Sequence, residues 1–370
     1  MSKITVGVIF GGRSVEHEVS LLSAKSIIRN LNPDKYQVFP IFIEKNGTWR
    51  KASIDRWIKD GDLKIFTNSF LSPSLNPEKP VFYELGLNKI EGEHRVDVLF
   101  PVLHGTYGED GTVQGLFELM GIPYVGASVL GSSVGMDKIA MKTIFREAGL
   151  PVAKFTGFYS YEWKLQREII TNNVLSEIVV PCFVKSANLG SSVSITKVKS
   201  EDYLEKAIDF ACAFSHRIMV EKAVLNPREI EVSVLGNENP IASLPGEIIP
   251  HREFYDYIAK YIEDGTALIA PANLEKGLVE KFQEYAIKAF KAVDCEGMGR
   301  VDFLMEKTTD EIFVSEINTI PGFTQISMYP KLWEASGLPY RELISRLIEL
   351  ALERHAQRSR LKKTYAPARD

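Results

Sequence analysis

Gly299-Arg300-Val301-Asp302-Phe303-Leu304-Met305, a short polar connection, and then Glu311-Ile-Phe-Val-Ser-Glu316-Ile-Asn318-Thr-Ile-Pro-Gly322 decide how the chain is read. Both halves have strand composition, and the connection Glu306–Asp310 predicts a hairpin. Residues two apart in a strand share a face. Arg300 and Asp302 therefore project together, as do Glu316 and Asn318 on the facing strand, while Val301, Phe303 and Ile317 point into a core. One surface thus carries an arginine, two carboxylates and a carboxamide. Hard oxygen ligands of this kind suit Mg²⁺ that also holds nucleotide phosphates, and an adjacent arginine suits a transferring phosphoryl group. The same spacing fits a solvated sheet face with a surface salt bridge. The Pro-Gly turn and helix start beyond the second strand place backbone N–H groups where an anion can sit.

Outward from the hairpin, the pattern divides the chain. Ile4–Phe10, Tyr36–Ile43 and Val96–Val102 read as strands, with a helix marked by Val19, Leu22, Ile27, Ile28 and Leu31 between the first two. Strand, helix, strand predicts a parallel sheet with helices on its faces. The stretch from Asp60 to Asn88 reads as an irregular insertion. A helix is expected from about Gly135 to Ala148, ending at Gly149-Leu-Pro151. Beyond it, Val179–Lys185, Val193–Val198, Arg217–Val224 and Glu229–Gly236 read as further strands, with helices near Glu201–Phe214, Leu274–Val293 and Tyr340–His355. The expected fold is an α/β N-terminal domain with a parallel sheet, followed by two α+β domains with mostly antiparallel sheet. The cuts fall at residues 1–130, 131–225 and 226–370.

Composition narrows the function. At 370 residues the chain exceeds what one core supports. A formal net charge of −4 argues against nucleic acid as a partner, since phosphate backbones need a basic face. Three widely spaced cysteines, Cys182, Cys212 and Cys295, form neither a disulfide framework nor a zinc pattern and fit a reducing cytosol. No apolar run is long enough to span a bilayer and the N-terminus lacks a signal-peptide pattern, so a cytoplasmic location is expected. The basic residues after Gln357 read as a solvated tail.

The run Glu316-Ile-Asn318-Thr-Ile-Pro-Gly322 resembles the metal-and-phosphate signature of ATP-grasp ligases, closest to that of D-alanine–D-alanine ligases. Further stretches carry the same resemblance over nearly the whole chain, and the resemblance implies a role for each. In Gly11-Gly-Arg-Ser-Val-Glu16-His-Glu-Val-Ser20, Glu16 holds the ammonium of the first D-alanine; the plain reading makes Ser14 an N-cap with Glu16 and Glu18 complementing the helix dipole. In His104-Gly-Thr-Tyr-Gly-Glu-Asp-Gly111, His104 sits near the substrate carboxylate, in binding rather than proton transfer. Lys138, in Met136-Asp-Lys138, and Lys185, in Phe183-Val-Lys185, neutralise the ATP α- and β-phosphates. Asn188-Leu-Gly190-Ser-Ser-Val193 covers the γ-phosphate, with Ser192 counted among the ATP contacts and Ser191 bonded to Glu16. The family usually has glycine where Ser194 stands. By the same resemblance, Glu221, Ala223 and Val224 form the inter-domain segment that offers backbone groups to adenine. Glu229 takes the ribose hydroxyls, in preference to Glu231 on the same strand face. A lid over about residues 251–266 ends in Lys260, on the γ-phosphate, and Tyr261, which closes over the substrates. Asp302, Glu316 and Asn318 bind metal, two Mg²⁺ or Mn²⁺ ions. Arg300 and the Gly322 N–H stabilise an oxyanion, and Ser327 with the Met328 N–H holds the second substrate's carboxylate. The implied reaction is ATP-dependent joining of two D-alanines through an acyl phosphate, for peptidoglycan precursor synthesis, in a homodimer.

Overall fold

The computed structural model describes residues 3–60, 63, 68–190, 194–249, 267–324 and 326–362. Its N-terminal sheet has the order Trp49–Lys51, Tyr36–Ile43, Ile4–Gly11, Val98–Val102, with the last three strands parallel and Trp49–Lys51 antiparallel at one edge. Parallel neighbours require crossovers, and the helix His17–Asn30 supplies the first of them. The central strands read as continuous apolar runs because both faces are covered: Val6, Val8, Ile9 and Phe10 are all inaccessible to solvent.

Where an irregular insertion was expected, a small antiparallel sheet stands instead, built from Phe70–Pro73, Val81–Leu85 and Ile90–Arg95. Its strands are short and interrupted by polar turns, which hides the pattern. Leu71 and Phe82 nonetheless bury themselves in the core shared with Phe117 and Tyr124. The single helix expected over 135–148 is two helices, Val129–Met136 and Lys138–Glu147. Asp137 breaks the run: its extended backbone ends the first helix, and its carboxylate accepts the Ile139 and Ala140 N–H groups at the start of the second. A capping aspartate inside an otherwise helical stretch signals this kind of restart.

A second sheet, ordered Thr196–Val198, Cys182–Ser186, Arg217–Lys222, Phe155–Tyr159, is antiparallel throughout. The helix Leu204–Cys212 packs on it and buries Leu204, Ala207, Ile208 and Ala211. The third sheet centres on Pro227–Gly236, Gly297–Glu306 and Ile312–Asn318, paired antiparallel, with Ile241–Ala242, Gly246–Ile249 and Ala267–Ile269 at its margins. One face is sealed by the helix Lys276–Ala292 through Phe282, Ala286, Ala289 and Phe290.

The C-terminal helix, Tyr340–Ser359, does more than close its own domain. Leu343, Ile344, Leu347 and Ile348 lie in one core with Val8, Phe100 and Val102 of the N-terminal sheet. Arg354, almost fully buried, donates to the Gly126 and Tyr124 carbonyls. Segments far apart in the chain are thereby fastened together, and this brings the Pro-Gly turn against the first sheet.

Candidate active site

The hairpin is formed with Arg300 opposite Asn318 and Asp302 opposite Glu316. Val301, Phe303 and Ile317 are buried behind it. The polar side chains make a tight set. Arg300 donates through Nε and an Nη to the two oxygens of Asp302, both at 2.7 Å, and its Nε also lies 3.0 Å from Glu231. Asn318 donates to Asp302 Oδ2 at 2.9 Å. With Arg300 and Asp302 only 15% and 18% exposed, this is not the solvated salt bridge of a sheet face. A carboxylate has about four acceptor sites, so Asp302 retains capacity beyond its three N–H donors. Two carboxylates and a carboxamide are a hard-oxygen set that fits Mg²⁺ or Mn²⁺. No group of three or more His, Cys, Asp or Glu with metal-holding geometry exists among the described residues.

Lys138 joins this platform to the second sheet. Its backbone N–H donates to the Ala187 carbonyl at 2.8 Å, its Nζ donates to the Leu189 carbonyl at 2.9 Å, and the Nζ lies 3.6 Å from Glu316. One turn further on, Lys142 is buried with its Nζ 2.5 Å from Glu221, whose other oxygen is 2.6 Å from Lys185. Burial would push the Glu221 carboxyl up, but the two ammonium groups hold it at about 2. Burial depresses Lys142 against the pull of Glu221. Lys142 has no place in the sequence reading, although its i,i+4 spacing from Lys138 put it on the same helix face.

Glu221 thus presents a side chain clamped between lysines. Beside it, the Ala223 N–H is bonded to the Pro181 carbonyl, and Val224 follows in irregular chain. Glu231 is claimed by Arg300, while Glu229 stands two residues earlier on the same strand. Ser194 has a left-handed backbone (φ 63°) and donates to the Ser186 hydroxyl at 2.6 Å, so at the position where the resemblance expects glycine a side chain anchors the loop end.

Glu16 is buried near the Gly105 and Gly190 backbones; a Cβ at Gly190 would stand 3.1 Å from its Oε2. The N-terminal loop and the segment around Gly190 therefore meet at Glu16. Ser14 departs from the N-cap reading. Its hydroxyl accepts from the Glu16 N–H at 3.1 Å in a local turn, and the helix starts after Glu16 with no side-chain cap. Glu18 is in the first turn and pairs with Lys45 on the surface.

His104 is buried, and both ring nitrogens have protein partners. Nδ1 donates to the Ile320 carbonyl at 3.0 Å, and Nε2 bonds the Ser23 hydroxyl at 3.0 Å. Burial lowers the imidazole, yet Glu109, 3.7 Å away, raises it above its ordinary value, helped by the charge of Glu16. Burial raises Glu109 in turn. Ser23 also accepts from the Phe323 N–H at 3.2 Å, which ties the first helix to the Pro-Gly turn. Ser23 is absent from the sequence reading. The available signal was a serine on the apolar stripe of that helix, beside Val19, Ala24 and Ile27. At the turn, Gly322 is irregular and Ser327 precedes the helix Met328–Ala335. The Ser327 hydroxyl is engaged with the Thr324 N–H and hydroxyl, at 3.0 and 2.8 Å, while Met328 is buried. Ser191, Ser192, Lys260, Tyr261 and the whole of the lid over 251–266 lie outside the described residues.

A parallel-sheet domain followed by two antiparallel sheets, with a cationic cradle facing a carboxylate hairpin, defines the ATP-grasp class. Residues 5–127 match the family model for the D-ala D-ala ligase N-terminus, and residues 144–349 that for its C-terminus. The chain belongs to the D-alanine–D-alanine ligase family. Curated D-alanine–D-alanine ligases of Natranaerobius thermophilus (47% identical; 97% of this chain, 98% of the relative) and Ruminiclostridium cellulolyticum (48%; 96% and 97%) are similar over nearly their full length. Among solved structures, the D-alanine–D-alanine ligase of Coxiella burnetii superposes with a TM-score of 0.82 at 39% identity, covering 97% of each chain. The VanG D-Ala:D-Ser ligase of Enterococcus faecalis superposes at 0.83 with 34% identity, covering 95% of this chain and all of that one.

Proposed function

We propose that the protein joins two D-alanine molecules to D-alanyl-D-alanine at the expense of ATP, through an acyl phosphate, for peptidoglycan precursor synthesis. The observation that carries the reading is the approach of Lys138 to Glu316: it unites lysines suited to phosphates with carboxylates suited to a divalent ion. A free carboxylate is a poor acyl donor, and phosphorylation makes it a good one. The amine of the second D-alanine then attacks the acyl carbon, and phosphate leaves.

In this reading Lys138 and Lys185 neutralise the α- and β-phosphates, the backbone around Ala223 and Val224 takes adenine next to Glu221, and Glu229 takes the ribose. Ser192 and Lys260 belong to the γ-phosphate contacts. Asp302, Glu316 and Asn318 would hold Mg²⁺ or Mn²⁺, two ions in the full proposal. Such ions supply charge neutralisation on phosphoryl oxygens. Glu16, joined by Ser191 and Tyr261, receives the first D-alanine's ammonium in a site its own buried charge prepares. His104, with both nitrogens engaged, serves binding through Glu109 and the turn rather than proton transfer. Arg300, preset by Asp302 and Glu231, and the Gly322 N–H face the developing oxyanion. Ser327 and the Met328 N–H take the second carboxylate at a helix start. The three-part division near residues 130 and 225, the lid, a homodimeric assembly and a cytoplasmic location complete the proposal. No helix among the described residues is long and apolar enough to cross a membrane.

The test is product analysis with purified protein, ATP, Mg²⁺ and a panel of acceptors. Equal amounts of ADP and dipeptide are expected with D-alanine, and none with L-alanine. D-serine and D-lactate belong in the panel, D-serine because the similar VanG structure is that of a D-Ala:D-Ser ligase. Faster turnover with either in competition against D-alanine overturns the acceptor assignment.

A further inference from the structure

Lys142 pairs with Glu221, and it is among the most deeply buried charges of the described residues, with a side chain 2% exposed. It sits in the core-facing row of the helix Lys138–Glu147, where Met141 and Phe145 are also buried. Burying an ammonium group costs several kcal/mol unless it is paired, and helix stability alone gives no reason to place one here. Its partners define its task. The Nζ lies 2.5 Å from Glu221 Oε1 and 3.4 Å from the Val314 carbonyl oxygen. Glu221 in turn meets Lys185 at 2.6 Å. Two cations thus share one buried carboxylate, leaving one positive charge in excess.

This excess matters for Lys185, which is the more accessible of the two at 13%. If Lys185 were the sole counterion of Glu221, turning toward a phosphate would leave a buried carboxylate uncompensated, which costs far more than one added ionic hydrogen bond returns. With Lys142 in place, Glu221 stays neutralised whichever way Lys185 points.

We infer that Lys142 is a positioning residue for nucleotide binding: it is the permanent counterion of Glu221, which frees Lys185 to bind an ATP phosphate. The inference rests on the reading of Lys185 as a phosphate ligand and adds to it a residue that touches no substrate. Removing Lys142 holds Lys185 on Glu221 and weakens ATP binding selectively. Removing the Glu221 charge as well releases Lys185 again, because no carboxylate then needs a counterion; glutamine keeps an oxygen acceptor at that position.

The experiment is calorimetric titration of wild type, Lys142→Met and Lys142→Met/Glu221→Gln with the Mg²⁺ complex of a β,γ-imido ATP analogue, without D-alanine. Lys142→Met is expected to weaken binding tenfold or more, and the double variant to return to within threefold of wild type. In steady state the single variant raises the KM for ATP and leaves the KM for D-alanine unchanged. A merely structural lysine would show no recovery in the double variant. Wild-type affinity in Lys142→Met overturns the inference alone, as does a double variant tenfold weaker than wild type. The double variant remains decisive if the single one does not fold. A wild type that does not bind the analogue removes the nucleotide reading and the inference with it.

Discussion

The lysine cradle and the carboxylate hairpin solve opposite electrostatic problems. Around Glu221 two lysines face one carboxylate, with Lys142 and Glu221 nearly sealed from solvent. At the hairpin, Asp302 and, from the neighbouring strand, Glu231 face Arg300, and Glu316 faces Lys138 at the margin. Among the described residues, lysines outnumber carboxylates at the first and carboxylates outnumber the arginine at the second. Lys138 bridges the two. In the proposed function the two sites are halves of one receptor: a polyphosphate would satisfy the first, and a divalent cation riding on that polyphosphate the second. Charge of one sign concentrated in a partly desolvated place is costly to hold, and function is the common reason to hold it.

The two-halves reading fails most visibly if the hairpin carboxylates prove ornamental. Asp302→Ala and Glu316→Ala are each expected to cut turnover by on the order of 10³-fold or more, the scale of losing a main stabiliser of transferring charge. The thermal midpoint of the ligand-free protein should move by only a few degrees, because Arg300 keeps Glu231 as a partner. Turnover within tenfold of wild type, or a collapse of the midpoint, would return the hairpin to a structural salt bridge.

Acid titration sharpens the other half. Glu221 is held at about 2, below its ordinary value of 4.5. A carboxyl lowered by folding contributes stability that is full above the unfolded value and is lost as pH falls through the folded one. The loss therefore runs from about pH 4.5 down to pH 2, with a ceiling of ~3 kcal/mol. Chemical denaturation at a series of pH values should show Glu221→Gln with a flatter acid limb than wild type. Parallel limbs would mean that the carboxylate is not held ionised by its lysines.

Smaller again is the effect of Lys185→Met. Losing one charge-assisted contact, about 1.5–3 kcal/mol, predicts an ATP dissociation constant raised roughly ten- to hundredfold with little change in D-alanine KM. A rise in the D-alanine constant instead would place Lys185 on the wrong substrate. The smallest expected change is at Ser194. Ser194→Ala keeps the left-handed strain and loses the hydrogen bond to Ser186, for about 1 kcal/mol; Ser194→Gly loses the bond and relieves the strain, so its midpoint should lie above that of the alanine variant. The reverse order would show that the hydroxyl is not what secures the loop end.

The hairpin was legible because its information is local. Strand periodicity places Arg300, Asp302, Glu316 and Asn318 on one surface whatever the rest of the chain does, and the register agrees. The lysine cradle was only half legible. Lys138 and Lys185 came through resemblance, but the triad requires a helix residue, Lys142, to meet two neighbouring strands, and no periodicity reports such a meeting. The same holds for Ser23, whose bonds to His104 and Phe323 span 81 and 300 residues. Local competition explains the two errors of fold. Asp137 outcompetes helix continuation by capping the next helix, and the short strands around Leu71 and Phe82 are broken by turns, so their burial depends on a core assembled from elsewhere. The long reach of the Tyr340–Ser359 helix onto the first sheet likewise exists only in three dimensions, since an apolar stripe states that it is covered and not by what.

The most direct test traces an oxygen atom. If both halves of the receptor serve to phosphorylate a carboxylate, D-alanine labelled with ¹⁸O in its carboxyl group must pass one labelled oxygen to the departing phosphate for each dipeptide formed. Mass spectrometry of the inorganic phosphate, with D-alanyl-D-alanine quantified in the same sample, reads this out. The prediction is one ¹⁸O in phosphate per dipeptide, with a matching release of ADP. Dipeptide formed with unlabelled phosphate, or label recovered in AMP, would contradict it.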